Sequence, residues 1–124
     1  SEDSVRDMLE QARGWTSPHD VLSISLVSQA DCLLAARSGD HESARRHAEA
    51  ASAALAESQD LWHRSDALRR VSKWAQLAGR QQEERRLLLE ALPGLRRKGV
   101  AHWTRVCEQR LAELDASLDG QPDR

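Results

Sequence analysis

The stretch DALRRVSKWAQLAGRQQEERRLLLEA, residues 66–91, decides the fold. Ahead of its central Gly79, the residues Ala67, Leu68, Val71, Trp74 and Ala75 recur at helical intervals, and behind it Leu87, Leu88 and Ala91 do the same. That spacing places each set on one face of an α-helix. A glycine between them supplies the left-handed backbone that ends a helix without a Cβ clash. Two amphipathic helices joined by a short turn form a helical hairpin.

Residues 26–51, LVSQADCLLAARSGDHESARRHAEAA, repeat the pattern 40 positions earlier. Gly39 falls on Gly79, Ala35 on Ala75, Arg45-Arg46 on Arg85-Arg86, and Ala51 on Ala91; just beyond, Leu55 falls on Leu95. The same shift sets Ala67 on Cys107 and Val71 on Leu111, so the last helix reads as the first half of a third, incomplete unit. A fixed period of this length is the mark of stacked helical repeats.

Working outward, a first helix is predicted from Ser4 to about Arg13, carrying Val5, Met8, Leu9 and Ala12 and closed by Gly14. Ser17 and Pro18 open a second that reaches about Arg37, with Leu22, Leu26, Ala30, Leu33 and Leu34 as its apolar set. Asp40 caps a third, running to about Glu57 and lined by Ala44, Ala48, Ala51 and Leu55, small enough to let it lie tightly between neighbours. A fourth helix spans about Leu61 to Ala78, a fifth about Gln81 to Lys98, and a sixth about Val100 to Leu118. Pro93-Gly94 falls within the fifth, where the lost bond to the carbonyl of residue 89 predicts a kink or an early end. Residues 1–17 then read as the end of a preceding repeat, 18–118 as the repeat array and 119–124 as a polar tail.

A chain of 124 residues, 40% hydrophobic and 31% charged, has the composition of one folded domain. Its aromatic residues are four tryptophans alone, and helix formers dominate the rest. Charge is uneven: residues 61–110 hold 12 Lys and Arg against 5 Asp and Glu, whereas residues 1–60 hold 5 against 11. Fields of opposite sign favour an acidic partner for the basic half, or head-to-tail contact between copies. No apolar run of about 18 residues and no leader pattern appears, which points to the cytoplasm. The chain starts at Ser1, as an excised piece of a longer protein would, and a targeting signal could lie outside it.

Catalytic, phosphate-binding and calcium-loop signatures are all missing, so the expectation is a binding module with no enzymatic activity and no cofactor. Cys32 and Cys107 lack metal-ligand spacing and read as small buried hydrophobes. His41 and His47 fall on different helix faces, and His19, His63 and His102 stand apart, so no metal is expected. Trp74 belongs to the core; Trp62 and Trp103, near helix starts, are either binding anchors or clamps between hairpins, the second being preferred. The pairs Arg69-Arg70, Arg85-Arg86 and Arg96-Arg97 could meet phosphates. Interleaved Glu83, Glu84 and Glu90 and a net charge of −2 favour solvated helix faces over a nucleic-acid surface.

At Leu68, Val71, Ser72, Ala75, Gly79, Leu88 and Ala91 the second unit resembles the tetratricopeptide repeat. It departs at Glu84, where that pattern has alanine, at Asp31, where it has a large apolar residue, and in a period longer than the usual ~34 residues. The stretches Asp66-Ala67-Leu68 through Ala78-Gly79-Arg80, and Arg97-Lys98-Gly99, are similar to the C-terminal repeat regions of large actinobacterial signalling proteins, nucleotide-cyclase-like and multidomain transcriptional regulators among them. This resemblance covers roughly residues 18–114, and no cyclase, nucleotide-binding or DNA-binding motif accompanies it.

The resemblance implies an all-α protein of about six helices, antiparallel hairpins stacked as a short solenoid. Its concave face would be lined by Leu26, Gln29, Leu33 and Arg37 from one helix and by Asp66, Arg69, Lys73 and Gln76 from another. Arg69 and Lys73 lead that set and suit an acidic protein or peptide segment. Two other expectations stand beside it. One is a regulatory pocket between hairpins that takes a small molecule and controls an attached effector domain; the other is homodimerisation through uncovered end faces.

Overall fold

A computed structural model describes residues 4–8, 21–56 and 61–120. Among these residues the chain is helical without a strand: α1 (residues 4–8), α2 (Val21–Arg37), α3 (His41–Leu55), α4 (Leu61–Leu77), α5 (Gln81–Lys98) and α6 (Ala101–Asp119). The expected start at Ser17 and Pro18, the Gly14 stop and the residues after 120 lie outside the described ones.

Three turns share one geometry. Gly39, Gly79 and Gly99 have φ of 84°, 71° and 75°. Each glycine N–H donates to the carbonyl three residues back, of Ala36, Gln76 or Arg96, and the next N–H donates to the carbonyl five back, of Ala35, Ala75 or Leu95. This is the Schellman arrangement, which satisfies carbonyls left open at a helix end. The match of Ala35 with Ala75 is therefore a match of turn acceptors. Asp40 adds the expected cap, its Oδ1 accepting from the Ser43 N–H at 3.1 Å. Nothing lies within 4 Å of a Cβ built at Gly79, so Gly79→Ala meets backbone strain alone. A loss of about 1 kcal/mol is expected, seen as a lower urea midpoint with an unchanged slope.

Hairpins α2–α3 and α4–α5 pack through α2 on α4 and α3 on α4. Ala44, Ala48 and Ala51 of α3 are buried, as the alanine stripe predicts. The buried face of α2 differs from expectation. It consists of Ser23, Ser25, Gln29, Ala30, Cys32 and Ala36, while Leu22, Leu26, Leu33 and Leu34 are half-buried. The alanine-lined helix comes so near that Ser25 Oγ donates to the Ala51 carbonyl at 2.9 Å, and Gln29 Nε2 donates to Ser25 Oγ at 3.1 Å. Ser25 and the Gln29 Nε2 group thereby make their hydrogen bonds, while Gln29 Oε1 is buried without a partner among the described residues. Leu33 and Leu34 instead flank Ala30 and pack with Val5 and Met8 of α1.

The main core joins Leu68, Val71, Trp74 and Ala75 of α4 to Leu87, Leu88, Ala91 and Leu95 of α5 and to Cys107, Leu111 and Leu114 of α6. Burial pushes the Cys32 thiol up to about 12 and raises that of Cys107, which keeps both protonated and unreactive. Pro93 neither ends nor shortens its helix: α5 continues to Lys98. Both Pro93 and Leu89, whose carbonyl loses its donor, lie on the exposed side, where water can serve that carbonyl.

Candidate functional site

By the 40-residue shift α6 corresponds to α4. It packs on α5 as α4 packs on α3, but it lies more loosely against α4 than α4 does against α2. A cavity of about 350 Å³ opens between α4 and α6, with α2 at its side and α5 beneath.

Its base holds Glu84, buried at 2% exposure. One period earlier stands Ala44, equally buried. Arg110 of α6 grips the carboxylate in two places, Nε donating to Oε2 at 2.7 Å and Nη2 to Oε1 at 2.9 Å. That fork geometry satisfies both acceptor oxygens, and the bond to Glu84 raises the Arg110 pKa. Arg110 also donates to Glu113 at 3.2 Å. Its counterpart one period back, Arg70, finds alanine at the corresponding place. It turns to Asp66 at 3.1 Å and to the Met8 sulfur at 3.4 Å.

The apolar wall comes from three helices: Leu33 of α2, Leu88 of α5, and Trp103 and Val106 of α6. Trp103 packs against the core and carries the Arg69 guanidinium 3.7 Å from its ring centroid. Asp66 accepts from Arg69 Nη2 at 2.6 Å, so Arg69 is held from two sides. Arg37, Lys73 and Gln76 form the rim, where Lys73 Nζ donates to Gln76 Oε1 at 3.2 Å. Among the described residues neither Arg37 nor Lys73 pairs with a carboxylate, and both are exposed. Arg37, Arg69, Arg70, Lys73 and Arg110 face the cavity; Asp66 pairs with Arg69 and Arg70 and Glu84 with Arg110, so the positive field at its mouth comes from Arg37 and Lys73.

Leu33, Arg37, Arg69, Lys73 and Gln76, all implied by the sequence, thus meet at one place. Gln29 does not join them: it is buried, and its amide is engaged by Ser25. Leu26 is half-buried outside the cavity, and Asp66 stands behind the lining, supporting its arginines. Glu84, Leu88, Val106 and Arg110 escaped the sequence reading as site residues, whereas Trp103 was expected as a clamp in preference to an anchor. The departure of Glu84 from alanine was the signal that could have found them.

Four other arginines are paired on the surface: Arg45 with Glu42 and Glu49, Arg86 with Glu83 and Glu90, Arg85 with Asp115, and Arg96 with Glu108. Their hydrogen bonds hold Glu42 and Glu83 below the usual carboxylate range. Exposed pairs of this kind add little stability. Trp62, like Trp103, is half-buried against the core. Among the described residues no three His, Cys, Asp or Glu side chains gather to hold a metal ion, and no helix is long and apolar enough to cross a membrane. No protein-family model, curated protein or solved structure matches the chain.

Proposed function

We propose that the chain is a non-catalytic docking module, its hairpins stacked in the manner of tetratricopeptide repeats, that receives an acidic segment of a partner protein or of a longer parent chain. The observation that carries this is the rim itself. Arg37 and Lys73 are exposed and lack carboxylate partners among the described residues, and they border an apolar-walled hollow. Unneutralised cations attract carboxylates over a Debye length, and the apolar wall beside them rewards a leucine-like side chain between the acids.

Fluorescein-labelled peptides of about a dozen residues test it, alternating Glu or Asp with Leu in one set and Lys with Leu in the other. Anisotropy titrations are expected to show micromolar binding of the acidic set, on the order of 1–100 μM, weakening as salt rises. Equal binding of the basic set, or none of either, would overturn the proposal.

A further inference from the structure

We infer that the cavity beneath the rim is a binding site in its own right for a small organic anion, one carboxylate or sulfonate on a flat or branched apolar body. This goes beyond the docking of a segment and stands on a separate observation, the volume and apolar lining of the hollow between α4 and α6.

A volume of about 350 Å³ falls within the ~300–1,000 Å³ that small-ligand pockets occupy. Such pockets pair a mostly apolar lining with a few polar groups that fix orientation. Here Leu33, Leu88, Trp103 and Val106 are the apolar part. The polar part is selective for one sign of charge. Both oxygens of Glu84 are taken by Arg110, so the buried acid does not repel an incoming anion. Lys73 and Arg37 remain at the mouth to meet it. A neutral apolar ligand would leave those cations unanswered, and a cationic one would be opposed by them.

The hollow lies where α6 packs on α5 and is more loosely set against α4, with the Glu84–Arg110 pair filling a place that alanine holds one period earlier. Ligand and acidic segment draw on the same two cations. Occupancy of the hollow therefore competes with docking, and the small anion becomes a regulator of the module.

The probe is 1-anilinonaphthalene-8-sulfonate, which carries a sulfonate on a flat aryl body, titrated into the full chain without peptide. Saturable binding at one site is expected, with a Kd on the order of tens of micromolar, displaced by 2-naphthoate. Lys73→Glu, at an exposed side chain, is expected to weaken it about tenfold. Val106→Trp is expected to abolish it by filling the hollow; Val106 is 40% exposed, so the larger side chain has room without disturbing the core. Circular dichroism of both variants should match the parent chain. Binding that does not saturate, or that both variants leave unchanged, overturns the inference, because the dye would then sit on other apolar surface such as Val21 and Ile24. Dye binding without peptide binding removes the docking proposal and keeps this one; the reverse removes this one alone.

Discussion

Arg110→Met is expected to lower the unfolding free energy by about 3 kcal/mol, although the side chain it removes lies near the surface. The loss falls on the partner left behind. Glu84 is 3% exposed at its side chain, and Arg110 satisfies both of its oxygens. Without the guanidinium a carboxylate is stranded in a poorly solvated place, and stranding one member of a buried pair is far costlier than the pair is favourable. Glu84→Ala alone should cost less, since Arg110 is 31% exposed and still reaches Glu113. The double variant Glu84→Ala, Arg110→Met should recover most of the single loss, because it strands no charge and places alanine where Ala44 stands one period earlier. Urea unfolding followed by tryptophan fluorescence checks all three. A single-variant loss under about 0.5 kcal/mol would mean that the carboxylate is better solvated than its burial indicates.

Trp74→Ala is expected to cost about 4 kcal/mol. Trp74 is the largest of the fully buried side chains and reaches from α4 to the groove between α3 and α5, where Ala48 and Leu87 border it. Its removal leaves a void that alanine-rich α3 has no long side chains to fill. Trp74→Phe should be much milder, since no acceptor among the described residues meets Nε1 and no hydrogen bond is lost with the indole. The contact with Arg80, 5.2 Å from the ring, adds little. A domain of this size loses roughly 4 °C of melting temperature per kcal/mol, so the alanine variant should melt about 15 °C lower. A drop of only a few degrees would place the indole outside the junction of the hairpins.

The periodic residues around Gly79 and Gly39 made the helices, the turns and the α4–α5 core legible, because amphipathic spacing and a left-handed stop are local properties. The buried face of α2 was not. Hydropathy favoured Leu22 and Leu26, whereas close approach to the alanines of α3 favoured Ser25 and Gln29, which find hydrogen bonds there. The early end expected at Pro93 does not occur for a similar reason, since what a proline disrupts depends on whether water reaches Leu89, a tertiary fact.

At the site, the sequence placed Arg69 and Lys73 together but could not distinguish them. Stacking on Trp103 and pairing with Asp66 engage Arg69, which leaves Arg37 beside Lys73 as the available cation. The contribution of α6 was legible only at Trp103, as an anchor or a clamp, because how closely α6 approaches α4 is a tertiary fact.

The most direct measurement titrates an acidic Glu-Leu peptide against the parent chain and the Arg37→Glu, Lys73→Glu variant at low and high salt. Neither side chain has a carboxylate partner among the described residues, so helicity should be unchanged and stability should fall by no more than about 1 kcal/mol, Arg37 lying in the last turn of α2. An affinity loss of about a hundredfold, with the salt dependence flattened, is the predicted result. Equal affinity of the two proteins would contradict the assignment of this face as the docking surface.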